Sequence, residues 1–279
     1  MAIISFFTSS KEQTGNTLSA IALATYLGIE KNQKILYIAT DLNSDTVKNA
    51  VWATQTKKKS GLFGPNTNVM SDNGIEGLDR VIRSNKISPD IITDYTKVAL
   101  TGRLEFLLGY KGSDEQYEEI QKQYMQIVNM ASKCYDTVIV DIDRKLKLKT
   151  QMELLKISDI VIAMTTQRIS DISKLLYSMA EGTMITKRNT LITLGKYDEK
   201  SKYNAKNISR NVLKQKEIIN TIPYNTVLFD SVQEGQIIDM FIKFLSLKIQ
   251  DENTFFVDEI KRLTESIDKK IEDVRRMAK

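Results

Sequence analysis

Residues 2–28 read AIISFFTSSKEQTGNTLSAIALATYLG, and this stretch decides the fold. AIISFFT (2–8) is short, apolar and without alternation, the pattern of a strand buried on both faces. TLSAIALATYLG (17–28) is apolar almost all round, as a helix inside a protein is. Between them lies a polar turn. The same pattern repeats outward from this unit. KILYIAT (34–40), RLEFLLG (103–109), DTVIVDI (136–142), DIVIAMTT (159–166), NTLITLG (189–195) and EIINTIP (217–223) read as further strands, with helical segments between them. Non-alternating strands separated by helices specify a parallel sheet covered on both sides. The expectation is a doubly wound α/β domain over residues 1–250, followed by an amphipathic C-terminal helix over 251–279. Ser113 and Gln116 have the spacing of a capping box, and Tyr117, Ile120, Tyr124, Ile127 and Ala131 follow at helical intervals. Residues 54–73 are polar, with two glycines and a proline, and read as a long exposed loop.

Composition narrows the chemistry. The chain has 279 residues, 42% hydrophobic and 27% charged, an ordinary globular balance. No apolar run approaches the ~18 residues of a membrane span. The opening MAIISFFTSSKEQ has no basic residue before its apolar run and is not expected to act as a signal peptide. A single cysteine, Cys134, rules out an internal disulfide and fits a cytoplasmic setting. Histidine is absent, which removes Ser-His-Asp and Cys-His catalysis and every His-containing metal site. Chemistry must rest on carboxylates, Lys, Arg, hydroxyls, backbone amides or a bound cofactor. The net charge of +5 is compatible with anionic partners but selects none.

In doubly wound sheets, ligands bind where strands end at their carboxyl side, so the turn Ser9–Thr17 is the first place to look. A phosphate loop, G-x-x-x-x-G-K-[ST], combines backbone N–H groups with a Lys for the β/γ-phosphates and a hydroxyl for magnesium. Here Gly15 and Thr17 occupy the second glycine and hydroxyl positions, Ser10 stands at the first glycine, and Asn16 replaces the lysine. As a bare pattern this is an ordinary polar turn.

The segment Lys11-Glu12-Gln13-Thr14-Gly15-Asn16-Thr17 nevertheless resembles the deviant loop K-G-G-x-G-K-[ST] of the MinD/ParA family of ATPases. Other blocks resemble that family in the same order. KILYIATDL (34–42) is similar to its second strand, with Asp41 at the second aspartate of D-x-D and Ala39 replacing the first. YDTVIVDID (135–143) looks like the strand ending in the magnesium-side aspartate, which would be Asp141. SDIVIAMTTQ (158–167) is similar to the next strand, and TIPYNTVLFDSVQEGQII (221–238) to the I-P-x-[DN] segment and its helix. The resemblance implies ATP or ADP with Mg2+ as cofactors. It implies Ser10, Glu12, Gln13, Thr14, Gly15, Asn16, Thr17, Leu18 and Pro223 as nucleotide-binding residues and Thr17 with Asp141 as metal ligands. It implies catalytic roles for Lys11, Asp41 and Asp141, with Lys11 reaching across a homodimer. Within the family the chain resembles the TadZ/CpaE-like group, which implies protein partners in a pilus, secretion or conjugation machine and recruitment to membrane or pole by them.

The departures point to slow or absent hydrolysis. Asn16 supplies no positive charge against charge developing in phosphoryl transfer. Glu12 and Gln13 replace two glycines, and Glu12 places negative charge near the phosphates. The family's adenine-reading Asn falls near Leu194-Gly195-Lys196 and is missing. Asp41 and Asp141 also fit plain turn-capping roles at strand ends. Lys57-Lys58-Lys59 reads as an exposed run; a DNA-binding partition ATPase and a scaffold that binds no nucleotide stay open as alternatives. On the tail, Phe256, Ile260, Leu263, Ile267, Ile271, Val274 and Met277 form one stripe, while acids and bases nearly balance on the other face. That balance favours packing on the body or a partner over direct membrane contact.

Overall fold

A computed structural model describes residues 1–52, 74–84, 88–182, 184–213, 219–247 and 251–277. The polar stretch 54–73, with Lys57-Lys58-Lys59, lies outside the described residues, as do the first two residues of EIINTIP.

The apolar runs form β1 (Ala2–Phe7), β2 (Ile35–Ala39), β4 (Leu104–Leu107), β5 (Thr137–Asp141), β6 (Ile160–Thr165), β7 (Thr190–Tyr197) and β8 (Asn220–Pro223), all parallel; β3 (Lys97–Leu100) is added antiparallel at one edge. The order across the sheet is β3-β4-β2-β5-β1-β6-β7-β8. Periodicity hidden inside the continuous apolar runs sorts side chains to two sides. Ile4 and Phe6 face one core, and Ile3 and Phe7 the other. The first side is covered by α1 (Asn16–Glu30), α9 (Thr226–Glu234), α10 (Ile237–Ser246) and α11 (Glu252–Met277), with α2 (Thr46–Val51) beside them. The second is covered by α3 (Ile75–Arg83), α4 (Asp114–Gln121), α5 (Tyr124–Cys134), α6 (Leu148–Ile157) and α7 (Ile169–Glu181). A short α8 (Ala205–Ile208) lies between β7 and β8 in the chain.

This is the doubly wound α/β architecture expected from the sequence, with three differences of detail. β3 was not legible: Lys97 and Val98 are exposed, so the strand lacks the apolar run that marks the others. The helix after Ser113 is two helices. Lys122 and Gln123 donate to the carbonyls of Glu119 and Ile120, a tightened i→i−3 turn that breaks the first helix before α5 begins. Ser113 does cap α4 through the Gln116 N–H, but the Gln116 side chain takes a hydrogen bond from the Tyr110 hydroxyl rather than closing the box. The tail stripe packs on the body: Phe256, Ile260, Leu263 and Ile267 are buried, Ile271 is half-buried, and Met277 at the end is exposed. Glu272 and Arg276 on the tail's polar face form an i,i+4 ion pair at 3.4 Å.

Two features anchor the carboxyl ends of the central strands. β5 lies between β1 and β2, with Asp141 level with Phe6 and Ala39. The Thr40 hydroxyl donates to the Asp141 carbonyl (2.8 Å) and accepts from the Asp143 N–H (2.9 Å), stitching the two strand exits together.

Candidate functional site

The loop after β1 closes on Gly15, which caps α1 in a left-handed conformation (φ 77°, ψ 21°) that L side chains adopt at a cost. Glu12 and Gln13, which stand where the resemblance has glycines, show no left-handed φ; among the described non-glycine residues only Asn43 and Lys196 do. The loop is pinned on its far side. The Ser10 hydroxyl donates to Asp171 (3.1 Å) and accepts from the Glu12 N–H (3.1 Å), and Arg144 donates to the Ser10 carbonyl (2.8 Å). From β7, the backbone of Gly195 approaches so closely that a Cβ there would lie 1.9 Å from the Thr14 carbonyl oxygen. Position 195 therefore admits only glycine while the loop keeps this course.

The loop opens onto a cavity of about 910 Å3 at the α1 N-terminus. Ser10, Lys11, Glu12, Gln13, Thr14, Gly15, Asn16, Thr17 and Leu18 line it, with Asp141 and, from the end of β8, Pro223. Asp41 does not. Its carboxylate turns toward Gly109 on the neighbouring strand exit, where a Cβ on that glycine would meet its oxygen at 2.1 Å. Burial raises the Asp41 pKa, its hydrogen bond to Ser44 opposing. Lys11 lines the cavity with its side chain exposed.

Asp141 is the buried charge of the site. It is 5% exposed, and its two carboxylate oxygens accept from the Asn16 amide (2.7 Å) and the Tyr37 hydroxyl (2.9 Å). Desolvation is the largest cause of its raised pKa, about 6, with Thr17 and Tyr37 pulling it down and Asp41 and Asp143 adding to the rise. The substitution at position 16 thus ties the loop to the aspartate. Glu12 is not loose in the cavity either: its carboxylate pairs with Arg168 at 2.5 Å, on a surface-exposed bridge. Asp143 accepts from the Lys145 N–H, a turn-capping contact.

Magnesium asks for few protein ligands and keeps several waters. An Asp carboxylate and a Thr hydroxyl beside a helix N-terminus suit it, and both line this cavity. The Asn16 Oδ1 and Thr14 Oγ1 are buried without a hydrogen-bond partner among the described residues, acceptors left over for a polar occupant. No group of three or more His, Cys, Asp or Glu side chains placed to hold a metal ion occurs among the described residues, so a metal here would lean on ligand oxygens and water.

Sequence reasoning missed Tyr37, Arg144, Arg168, Asp171 and Lys196. Arg144 and Arg168 each stand three residues past a strand end and Lys196 lies at the carboxyl end of β7, so the strand-end rule reaches these three; Tyr37 and Asp171 carry no such mark. These two come from distant segments, and only the sheet order brings them to the loop.

No family model and no curated protein matches the chain. Solved structures do. A ParA family ATPase from Chlorobium tepidum superposes with a TM-score of 0.66 at 15% identity, covering 93% of this chain and 98% of that one. The cell division ATPase MinD of Pyrococcus furiosus gives 0.62 at 14%, covering 99% and 100%. The septum site-determining protein MinD of Pyrococcus horikoshii, complexed with Mg-ADP, gives 0.59 at 16%, covering 96% and 98%. At these identities the likeness speaks for the fold. End to end, the chain carries the fold of the ParA and MinD ATPases.

Proposed function

We propose that the protein is a nucleotide-dependent dimerising switch that positions or assembles a larger machine, with little or no ATP hydrolysis. One observation carries this reading. The cavity of about 910 Å3 gathers the whole turn Ser10–Leu18, the α1 N-terminus, Asp141 and Pro223 in one place. Free N–H groups at a helix start favour phosphate without any lysine, and a neighbour of the same fold was solved with Mg-ADP. In this reading Thr17 and Asp141 hold magnesium, and Asn16 must release Asp141 when metal and nucleotide arrive. Turnover is poor because position 16 offers a hydrogen bond but no charge. Leu148, Tyr224 and Phe229 are exposed large side chains at the cavity rim, 60%, 59% and 45% accessible, an apolar margin suited to a second copy. Lys11, with its exposed side chain, acts on that copy's nucleotide. A pilus, secretion or conjugation apparatus is the machine that the TadZ/CpaE-like resemblance favours.

Titration with ATP and Mg2+, read by calorimetry and by light-scattering mass, tests it. The expected result is saturable binding with a doubling of mass, and a Lys11→Ala protein that binds ATP but stays monomeric. Absence of heat would leave a scaffold that uses only the fold. A Lys11→Ala protein that dimerises like wild type would remove the cross-subunit role.

A further inference from the structure

β7 carries one residue too many at its carboxyl end. Gly195 pairs with Ile222 and Tyr197 with Pro223, adjacent residues of β8, so Lys196 is the inserted residue of a bulge. It adopts φ 49°, a left-handed backbone rare for a side chain of this length. Bulges re-aim side chains, and strain of this kind collects where a side chain is needed in one place. The aim here is the phosphate loop. The Lys196 Cγ lies 3.8 Å from where a Gly15 Cβ would be, its Nζ is 3.4 Å from the Gln13 Oε1, and the side chain lines the cavity. Its neighbour Gly195 locks this strand end against Thr14, so the position over the loop is fixed by backbone contact. Gln13 offers the ammonium only a neutral amide, and no carboxylate among the described residues forms an ion pair with it. Across the loop, Arg144 is already committed to the Ser10 carbonyl.

We infer that Lys196 supplies, from the end of β7, the phosphate-binding cation that the loop lacks at Asn16, and that its ligand is the phosphate chain of a nucleotide. This rests on the nucleotide reading above. A lysine is a mobile point charge on a long stem and can serve phosphates from a second direction, provided its root is held. The bulge and the glycine contact hold that root. The replacement restores a charge but not its in-loop geometry, which fits binding without efficient turnover.

The test uses Lys196→Gly. Glycine takes the left-handed backbone freely, so this variant is expected to melt no lower than wild type. Calorimetry with Mg2+ and ATP, and separately with AMP, is run on wild type, Lys196→Gly and Lys200→Met, an exposed lysine four residues on that does not line the cavity. The expected result is a ten- to hundredfold loss of ATP affinity in Lys196→Gly. AMP should weaken much less, and Lys200→Met should stay near wild type. If wild type binds ATP and Lys196→Gly binds it equally well, the inference is overturned and the nucleotide reading stands. Equal losses for ATP and AMP, or equal losses in both lysine variants, also overturn it, because the side chain would then serve the base or only the general field. If wild type binds no nucleotide, the reading itself fails and the inference falls with it.

Discussion

Asp141 is held in the site at an energetic disadvantage that solution pH can expose. Its folded pKa of about 6 lies above the ordinary 3.8, with burial as the leading cause. A carboxyl raised in this way keeps its proton more tightly folded than unfolded, so its contribution favours folding most below pH 4. That contribution is lost as pH rises from 3.8 to about 6. Two units correspond to roughly 3 kcal/mol at most. Asp141→Asn removes the penalty. It keeps an acceptor for the Tyr37 hydroxyl, and a turned Asn16 amide can accept from the new one. In thermal melts without nucleotide, Asp141→Asn should exceed wild type at pH 7–8, with the gap closing by pH 4. A gap that is constant with pH would show that Asp141 titrates normally. A strand ending in acid and a glycine before a helix leave local marks, but the roles expected of Asp141 and its loop neighbours came from the family resemblance, since the bare pattern reads as an ordinary polar turn. In the sequence Asn16 shows only the loss of a cation; its bond to Asp141 leaves no local mark, since 125 residues separate the two.

Among the elements, α11 shows how a surface pattern becomes a core. Its stripe at spacings of 3 and 4 predicted a packed face, and the packing runs onto α1, α10 and β8. Phe256 is fully buried and tilts against Phe241 of α10, with ring centroids 6.2 Å apart. Glu259, 6% exposed on the same helix, binds the Thr221 hydroxyl of β8 and Arg262. Phe256→Ala should therefore cost about 3–5 kcal/mol in denaturant unfolding, as a buried aromatic does. If α11 were a loosely attached tail, the loss would fall below ~1 kcal/mol and the main transition would not move. β3 was illegible for the opposite reason: an edge strand half open to solvent has no need of the apolar run by which the inner strands announce themselves. The broken helix at Lys122–Gln123 left no glycine or proline in the sequence to mark it.

For the whole molecule, binding must register in global stability. A ligand that binds only the folded chain adds about 2.7 kcal/mol at a hundred times its dissociation constant. For a domain of this size, that raises the melting temperature by roughly 5 °C. ATP with Mg2+ should produce this shift, and GTP a smaller one if the pocket reads adenine; equal shifts would place all recognition on the phosphates. The layered sheet was legible at this scale because its inner strands and α1 are apolar without interruption. The contacts that assemble the cavity depend on sheet order, which no local pattern encodes. One consequence follows from the two margins of that sheet. β8 packs against α11, while β3 is four residues long, reversed in direction, interrupted between Val98 and Leu100, and starts with a lysine. Such a border refuses an incoming strand. At the β3 margin, copies of this chain would therefore meet through apposed surfaces, as tiles do, and not by extending a ribbon.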